Sequence, residues 1–110
     1  MFLPHDKADT MYLCLMKAYY VYILSNLHKT VLYIGVTNNL RKRMEQHISN
    51  SVAHKSSFAG KYNCTHLLYF EEFRDVRQAI NREKELKGWI REKKLQLIRT
   101  VNPEMTFIEL

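Results

Sequence analysis

At 110 residues the chain has room for one domain with one modest core. A hydrophobic content of 46%, with 12% aromatic, excludes a chain too polar to fold. The formal net charge is +6, concentrated in residues 74–99, where nine Lys and Arg face four acids; such a surface attracts polyanions, nucleic acid foremost, although a merely soluble cationic surface has the same sign.

No apolar run approaches the roughly 18 residues of a membrane-spanning helix. Cys14 and Cys64 stand 50 positions apart, without the spacing of a zinc site or a disulfide framework. With no cleavable signal pattern at the start, the expected location is a reducing cytoplasm.

Residues 1–17 show no clear period. They read as an N-terminal extension, either a short element packed on the domain or a segment ahead of a start at Met16. Residues 18–24 (AYYVYIL) are dense in aromatic and β-branched side chains and predict a strand. A polar turn over 25–30 leads to a second strand at 31–34, making a hairpin. A register with Tyr22 opposite Tyr33 would put both rings on one face.

Gly35 closes that strand in a turn, and Thr37, Asn38 and Asn39 offer caps for a helix over about 39–48. Leu40, Met44 and Ile48 form its buried stripe, and Arg43 and His47 sit one turn apart on a neighbouring face. Residues 49–64 read as a long surface loop in which His54, Lys55, Ser56, Ser57, Lys61 and Tyr62 mix phosphate donors with stacking rings. Phe58 fits equally as a core residue.

Residues 65–73 return to strand character. Asp75 then resembles an N-cap, with Gln78 in a capping-box position, for a helix over about 75–87 carrying Val76, Ala79, Ile80 and Leu86 inward. Gly88 interrupts, and residues 89–99 form a further helix with Ile90, Leu97 and Ile98 inward, ended by Asn102 and Pro103. Residues 104–110 read as an uninformative tail. The order predicts an α+β domain, β-β-α-β-α-α, with a three-stranded, largely antiparallel sheet under packed helices.

Hydrolysis of a phosphodiester needs an activated nucleophile, charge stabilisation at phosphorus and help for the leaving oxygen. Tyr22 or Tyr33 qualifies as a base only if neighbouring cations favour the phenolate. Arg43 can fork over phosphate oxygens, and His47 can tune a tyrosine or carry a proton. Glu83, beside the buried stripe, is the one acid suited to a divalent cation, because Mg²⁺ often takes one or two carboxylates and completes its shell with water and phosphate. Each also has a plainer reading: Arg43 as one of three surface cations (Arg41, Lys42, Arg43), His47 as a helix-ending cation, Glu83 as an i,i+4 partner of Lys87.

Taken together these residues resemble the GIY-YIG nuclease superfamily, and in particular its small stand-alone bacterial branch and the N-terminal nuclease domain of the bacterial excinuclease. Tyr20-Val21-Tyr22 stands at Gly-Ile-Tyr, and Tyr33-Ile34-Gly35 reproduces Tyr-Ile-Gly. Arg43 and His47 follow eight and twelve residues past the glycine. The run AINREKELK carries Glu83, and Asn102 stands near the end of the domain, giving a resemblance over residues 18–103.

That resemblance implies a Mg²⁺- or Mn²⁺-dependent endonuclease acting on DNA, structure- or damage-directed, in repair or recombination. Tyr22, Tyr33, Arg43, His47 and Glu83 would be catalytic, Glu83 holding the metal, with Gly35 and Asn102 binding substrate, and the composition of the 49–64 loop adds Lys55 and Lys61 as substrate-binding candidates. Tyr20 departs from the usual glycine. Most relatives also carry a domain that selects the DNA, so specificity here would be low, structural or supplied by a protein partner. The competing expectation is a non-catalytic nucleic-acid-binding adaptor that kept the fold.

Overall fold

The structure is a computed structural model that describes residues 17–53 and 63–110, with the backbone alone for 50–53. Three strands, β1 (Tyr19–Ser25), β2 (Leu32–Thr37) and β3 (His66–Phe73), alternate with α1 (Leu40–Ala53), α2 (Val76–Lys87) and α3 (Arg91–Val101). The sheet is antiparallel throughout, with strand order β2-β1-β3. The expected β-β-α-β-α-α architecture holds.

As the central strand, β1 is covered on both faces, which is why its sequence is an unbroken apolar run rather than an alternating one. Val21 and Ile23 point to one face, where they meet Ile34, Leu68, Ala79, Leu86 and Ile98 beneath α2 and α3. Tyr22 and Leu24 point to the other, with Leu40 of α1, Cys64 and Leu67. Full burial of an aliphatic side chain of this kind is worth about 1.5–3 kcal/mol. Cys64 is a free, buried thiol.

The hairpin is organised by Asn26, whose Oδ1 accepts from the N–H groups of Thr30 (2.8 Å) and Val31 (3.1 Å). Its register differs from the sequence expectation. Tyr22 faces Gly35, and Tyr33 faces Leu24. Leu24 lies two residues from Tyr22, so the two tyrosines still share a face, as diagonal rather than direct neighbours.

Other elements differ from their expected limits. β2 continues through Gly35 to Thr37 instead of turning at the glycine, and α1 runs on to Ala53, so residues 49–53 are helix rather than loop. The rest of that loop, residues 54–62 with Lys55 and Lys61, lies outside the described residues, as does the extension over 1–16. Ile48, Val76, Ile80 and Ile90 are exposed (52%, 39%, 36% and 72%). On α2 the sheet-facing line runs through Ala79 and Leu86, which leaves Val76 and Ile80 at its rim, and Ile90 precedes α3 as its N-cap residue.

The C-terminal tail is a working part of the fold. Met105 is buried, Phe107 stacks on His66 at 4.2 Å, and the Ile108 N–H donates to the Leu67 carbonyl (2.8 Å) in a bridge along the outer side of β3. Ile108 packs into the core around Tyr22 and Leu24. That bridge leaves β2 as the edge without a further strand among the described residues.

Candidate active site

The site is built along the β2 edge. Tyr22 projects from β1 toward β2 and comes up against Gly35, its cross-strand partner. A Cβ at position 35 would overlap the Tyr22 hydroxyl and lie 2.5 Å from its Cζ. Gly35 has no positive φ, so its lack of a side chain, and not an unusual backbone, is what the position needs. The absent side chain leaves the Tyr22 ring room to lie across the strand.

α1 carries the next two groups. Its start is fixed by Asn39, whose Oδ1 accepts from the Lys42 N–H (3.0 Å), and Thr37 Oγ1 in turn accepts from the Asn39 N–H (3.1 Å). With Leu40 buried against the sheet, His47 falls two turns later on the covered side and Arg43 on the exposed one. His47 Nε2 lies 3.0 Å from the Tyr22 hydroxyl in a buried hydrogen bond whose direction depends on the imidazole tautomer. Tyr33 closes the group: its ring is 5.3 Å from His47 and 6.3 Å from Tyr22, edge-on to the imidazole.

Burial dominates the electrostatics. It raises the Tyr22 pKa well above the ordinary phenol value; Tyr33 and Glu83 push the same way, and Arg43 opposes them. Burial also lowers His47 from 6.5 to about 4, with the positive charge of Arg43 adding to the effect. In the free protein both members of the pair are therefore neutral at pH 7. His47 Nδ1 is buried and has no hydrogen-bond partner among the described residues.

Glu83 lies in the other layer. It lies beside the Ala79–Leu86 line of α2, which packs across β1 and β2, and its side chain is 17% exposed. Its negative charge raises the Tyr22 pKa, and the positive charge of Arg43 on α1 opposes it. Lys87 Nζ sits 3.2 Å from Glu83 Oε2, so the plainer i,i+4 pairing is also present.

Among the described residues no three His, Cys, Asp or Glu side chains cluster as a preformed metal cage. The donor set is one half-buried carboxylate beside an open strand edge. That fits Mg²⁺ or Mn²⁺ held jointly with substrate phosphate and water, and does not fit zinc.

Asn102 lies apart from this group. Its Nδ2 donates to the carbonyls of Leu68 (3.0 Å) and Thr106 (2.8 Å), and its Oδ1 accepts from the N–H (3.1 Å) and hydroxyl (3.2 Å) of Thr106. Its hydrogen-bonding capacity is taken up in tying the C-terminal segment to β3. Tyr20, at the departure from glycine, packs edge-on against Phe70 with centroids 6.1 Å apart.

Sequence reasoning did not find the network on the far edge. Arg82 forks onto Glu71 (2.9 Å at both oxygens), also reaches Glu85 (2.9 Å) and lies over Trp89. Glu71, which also accepts from the Tyr69 hydroxyl, is pushed up by burial, but these hydrogen bonds outweigh that and hold its pKa below the ordinary value. A glutamate a few residues before a helix is not by itself a signal for such a pair.

The comparisons with known proteins meet this geometry at its central residues. Residues 18–96, from the start of β1 into α3, match the family described as the GIY-YIG catalytic domain. The chain belongs to the GIY-YIG family. Tyr22, Tyr33, Gly35, Arg43, His47 and Glu83 all fall inside the matched GIY-YIG span, and Asn102 falls outside it. Over 79 residues the chain is 42% identical to a UPF0213 protein of Clostridium perfringens, covering 72% of this chain and 81% of that one. It is 36% identical over 89 residues to a UPF0213 protein of Syntrophus aciditrophicus, covering 81% and 98%. The solution NMR structure of a UPF0213 protein from Bacillus halodurans is similar at 28% identity, covering 77% of this chain and 86% of that one, with a TM-score of 0.48.

Proposed function

We propose that this GIY-YIG domain is a metal-dependent endonuclease that hydrolyses DNA phosphodiester bonds, at structural irregularities or damage, in repair or recombination. The observation that supports the reading is the buried Tyr22–His47 hydrogen bond set against Gly35, with Tyr33 edge-on to the imidazole and the charges of Arg43 and Glu83 acting on the Tyr22 hydroxyl. The net charge of +6 supports a polyanionic substrate. No helix among the described residues is long and apolar enough to cross a membrane, and the free thiol of Cys64 agrees with a reducing cytoplasm.

In this reading the scissile phosphate lies over the β2 edge, with Arg43 forked on its non-bridging oxygens. Water attacks phosphorus in line as the P–O bond to the leaving oxygen breaks and solvent protonates that oxygen; the water gives its proton to the Tyr22 oxygen as the phenol proton passes to His47 Nε2. A phosphate on Arg43 cancels the positive charge that helps depress His47, so substrate itself makes the imidazole a better acceptor. Tyr33 holds the imidazole edge-on. Glu83 would hold Mg²⁺ or Mn²⁺, which when bound would supply Lewis acidity to the phosphate oxygens. Selectivity among DNA structures is low, read from DNA structure itself or supplied by a partner protein.

A second reading, a nucleic-acid-binding adaptor without catalysis, has one observation in its favour. Both members of the Tyr22–His47 pair are held neutral, and Glu83 is already paired. A panel of single-stranded, duplex, nicked and forked DNA, with RNA as control, separates the two. The nuclease cleaves one or more DNA substrates with Mg²⁺ or Mn²⁺, and Glu83→Ala abolishes cleavage while DNA binding survives. Intact substrates under every condition, with salt-sensitive binding retained, would leave the adaptor.

A further inference from the structure

Beside the tyrosine group, the β2 edge continues into a hollow of about 310 Å³ lined by Leu32, Tyr33, Ile34, Lys87 and Lys94. Its lining includes two lysines, one from the end of α2 and one from α3, and no Asp or Glu. Two cations facing one recess repel each other unless an anion lies between them. Leu32, Tyr33 and Ile34 make the rest of the lining, and Lys87 is paired with Glu83, one helical turn before it.

Lys87 therefore borders both the Glu83 carboxylate and the hollow. In the free protein its Nζ pairs with Glu83 Oε2 at 3.2 Å, yet its side chain is 54% exposed and lines the hollow. Its flexible stem lets the ammonium swing from one position to the other without moving the helix.

We propose that this hollow is a phosphate subsite for a nucleotide flanking the cleaved bond, and that Lys87 is shared between it and Glu83. Lys87 neutralises the half-buried Glu83 until a divalent cation takes that carboxylate, and then pairs with the flanking phosphate beside Lys94. Metal and DNA each displace Lys87 toward the arrangement the other requires, so each binds better in the presence of the other. This rests on the nuclease reading and adds to it a positioning role for two lysines outside the tyrosine group.

The test uses the full chain with Lys87→Gln and Lys94→Gln, and with Arg99→Gln as a control that removes one charge elsewhere on α3. Mn²⁺ affinity is read without DNA from the electron paramagnetic resonance signal of the free ion. Duplex binding is read by fluorescence anisotropy across a salt series in Ca²⁺. Lys87→Gln should bind Mn²⁺ about two- to fivefold more tightly than wild type, the range set by losing a partly exposed ion pair. Lys94→Gln should leave Mn²⁺ affinity unchanged. Both variants should lower the slope of log K against log salt by about 0.9, the loss of one phosphate contact, and Arg99→Gln should not.

Unchanged Mn²⁺ affinity in Lys87→Gln, or slopes equal to that of wild type in both lysine variants, would overturn the subsite while a cleaving wild-type protein kept the nuclease reading intact. A wild-type protein that bound neither Mn²⁺ nor DNA would overturn both.

Discussion

Replacing Gly35 by alanine tests the contact on which the site is built. The added Cβ would fall on the hydroxyl and Cζ of Tyr22, a ring that is 1% exposed and walled in by Leu24, Leu40, Cys64 and Leu67. A core forced to take an extra methyl in this way loses about 1–3 kcal/mol. If the ring tilts aside, the hydrogen bond to His47 is lost as well, at about 1 kcal/mol. The expected destabilisation is therefore about 2–4 kcal/mol, or roughly 8–16 °C in Tm at about 4 °C per kcal/mol for a chain of this size.

Gly88 supplies the control. It has φ −81°, and a Cβ there would meet nothing closer than the Glu85 carbonyl oxygen at 3.5 Å. Gly88→Ala should leave stability unchanged or raise it by about 0.4–1 kcal/mol through the unfolded chain. Urea unfolding followed by circular dichroism reads both variants, and adding Tyr22→Phe to Gly35→Ala should restore about 0.5–1 kcal/mol, because the most crowded atom is gone. Equal stabilities for Gly35→Ala and Gly88→Ala would refute the close approach and, with it, the placement of Tyr22 at the β2 edge.

Three further outcomes are expected. His47 has a folded-state pKa of about 4 against 6.5, so the unfolded chain binds the extra proton between those values; stability is full above pH 6.5 and falls by up to about 3 kcal/mol as pH drops through that window. Urea unfolding at pH 7, 5.5 and 4.5 should show that loss in wild type and a shallower one in His47→Gln. Arg82→Ala strands the half-buried Glu71 and should cost about 1–2 kcal/mol, with Arg82→Lys recovering only part because the two-pronged contact is lost; thermal melts decide it. Asn102→Ala should destabilise by about 1–3 kcal/mol through the carbonyl of Leu68 and the groups of Thr106 it leaves unpaired, while DNA affinity per folded molecule, read by anisotropy, stays unchanged.

What the sequence determined by itself was local in origin. The β-branched and aromatic run of β1, the Asn39 and Asp75 caps, and the spacing of Ala79 and Leu86 each follow from neighbours along the chain, and they suffice for element order and fold class. The tyrosines, arginine, histidine and glutamate were nominated by the family resemblance, since spacing along two strands and two helices left each a plainer reading. Tertiary structure decided where those side chains meet. Only cross-strand register puts Tyr22 on Gly35, turning an apparent turn glycine into the space a phenol ring occupies. Only packing from both faces depresses His47 and brings the Glu83 charge to Tyr22, since desolvation and Coulomb interactions depend on distance through space, which spacing along the chain does not encode. The tail over 104–110 carried no local period, and its burial against β3 depends on a hydrogen bond to a residue 41 positions earlier.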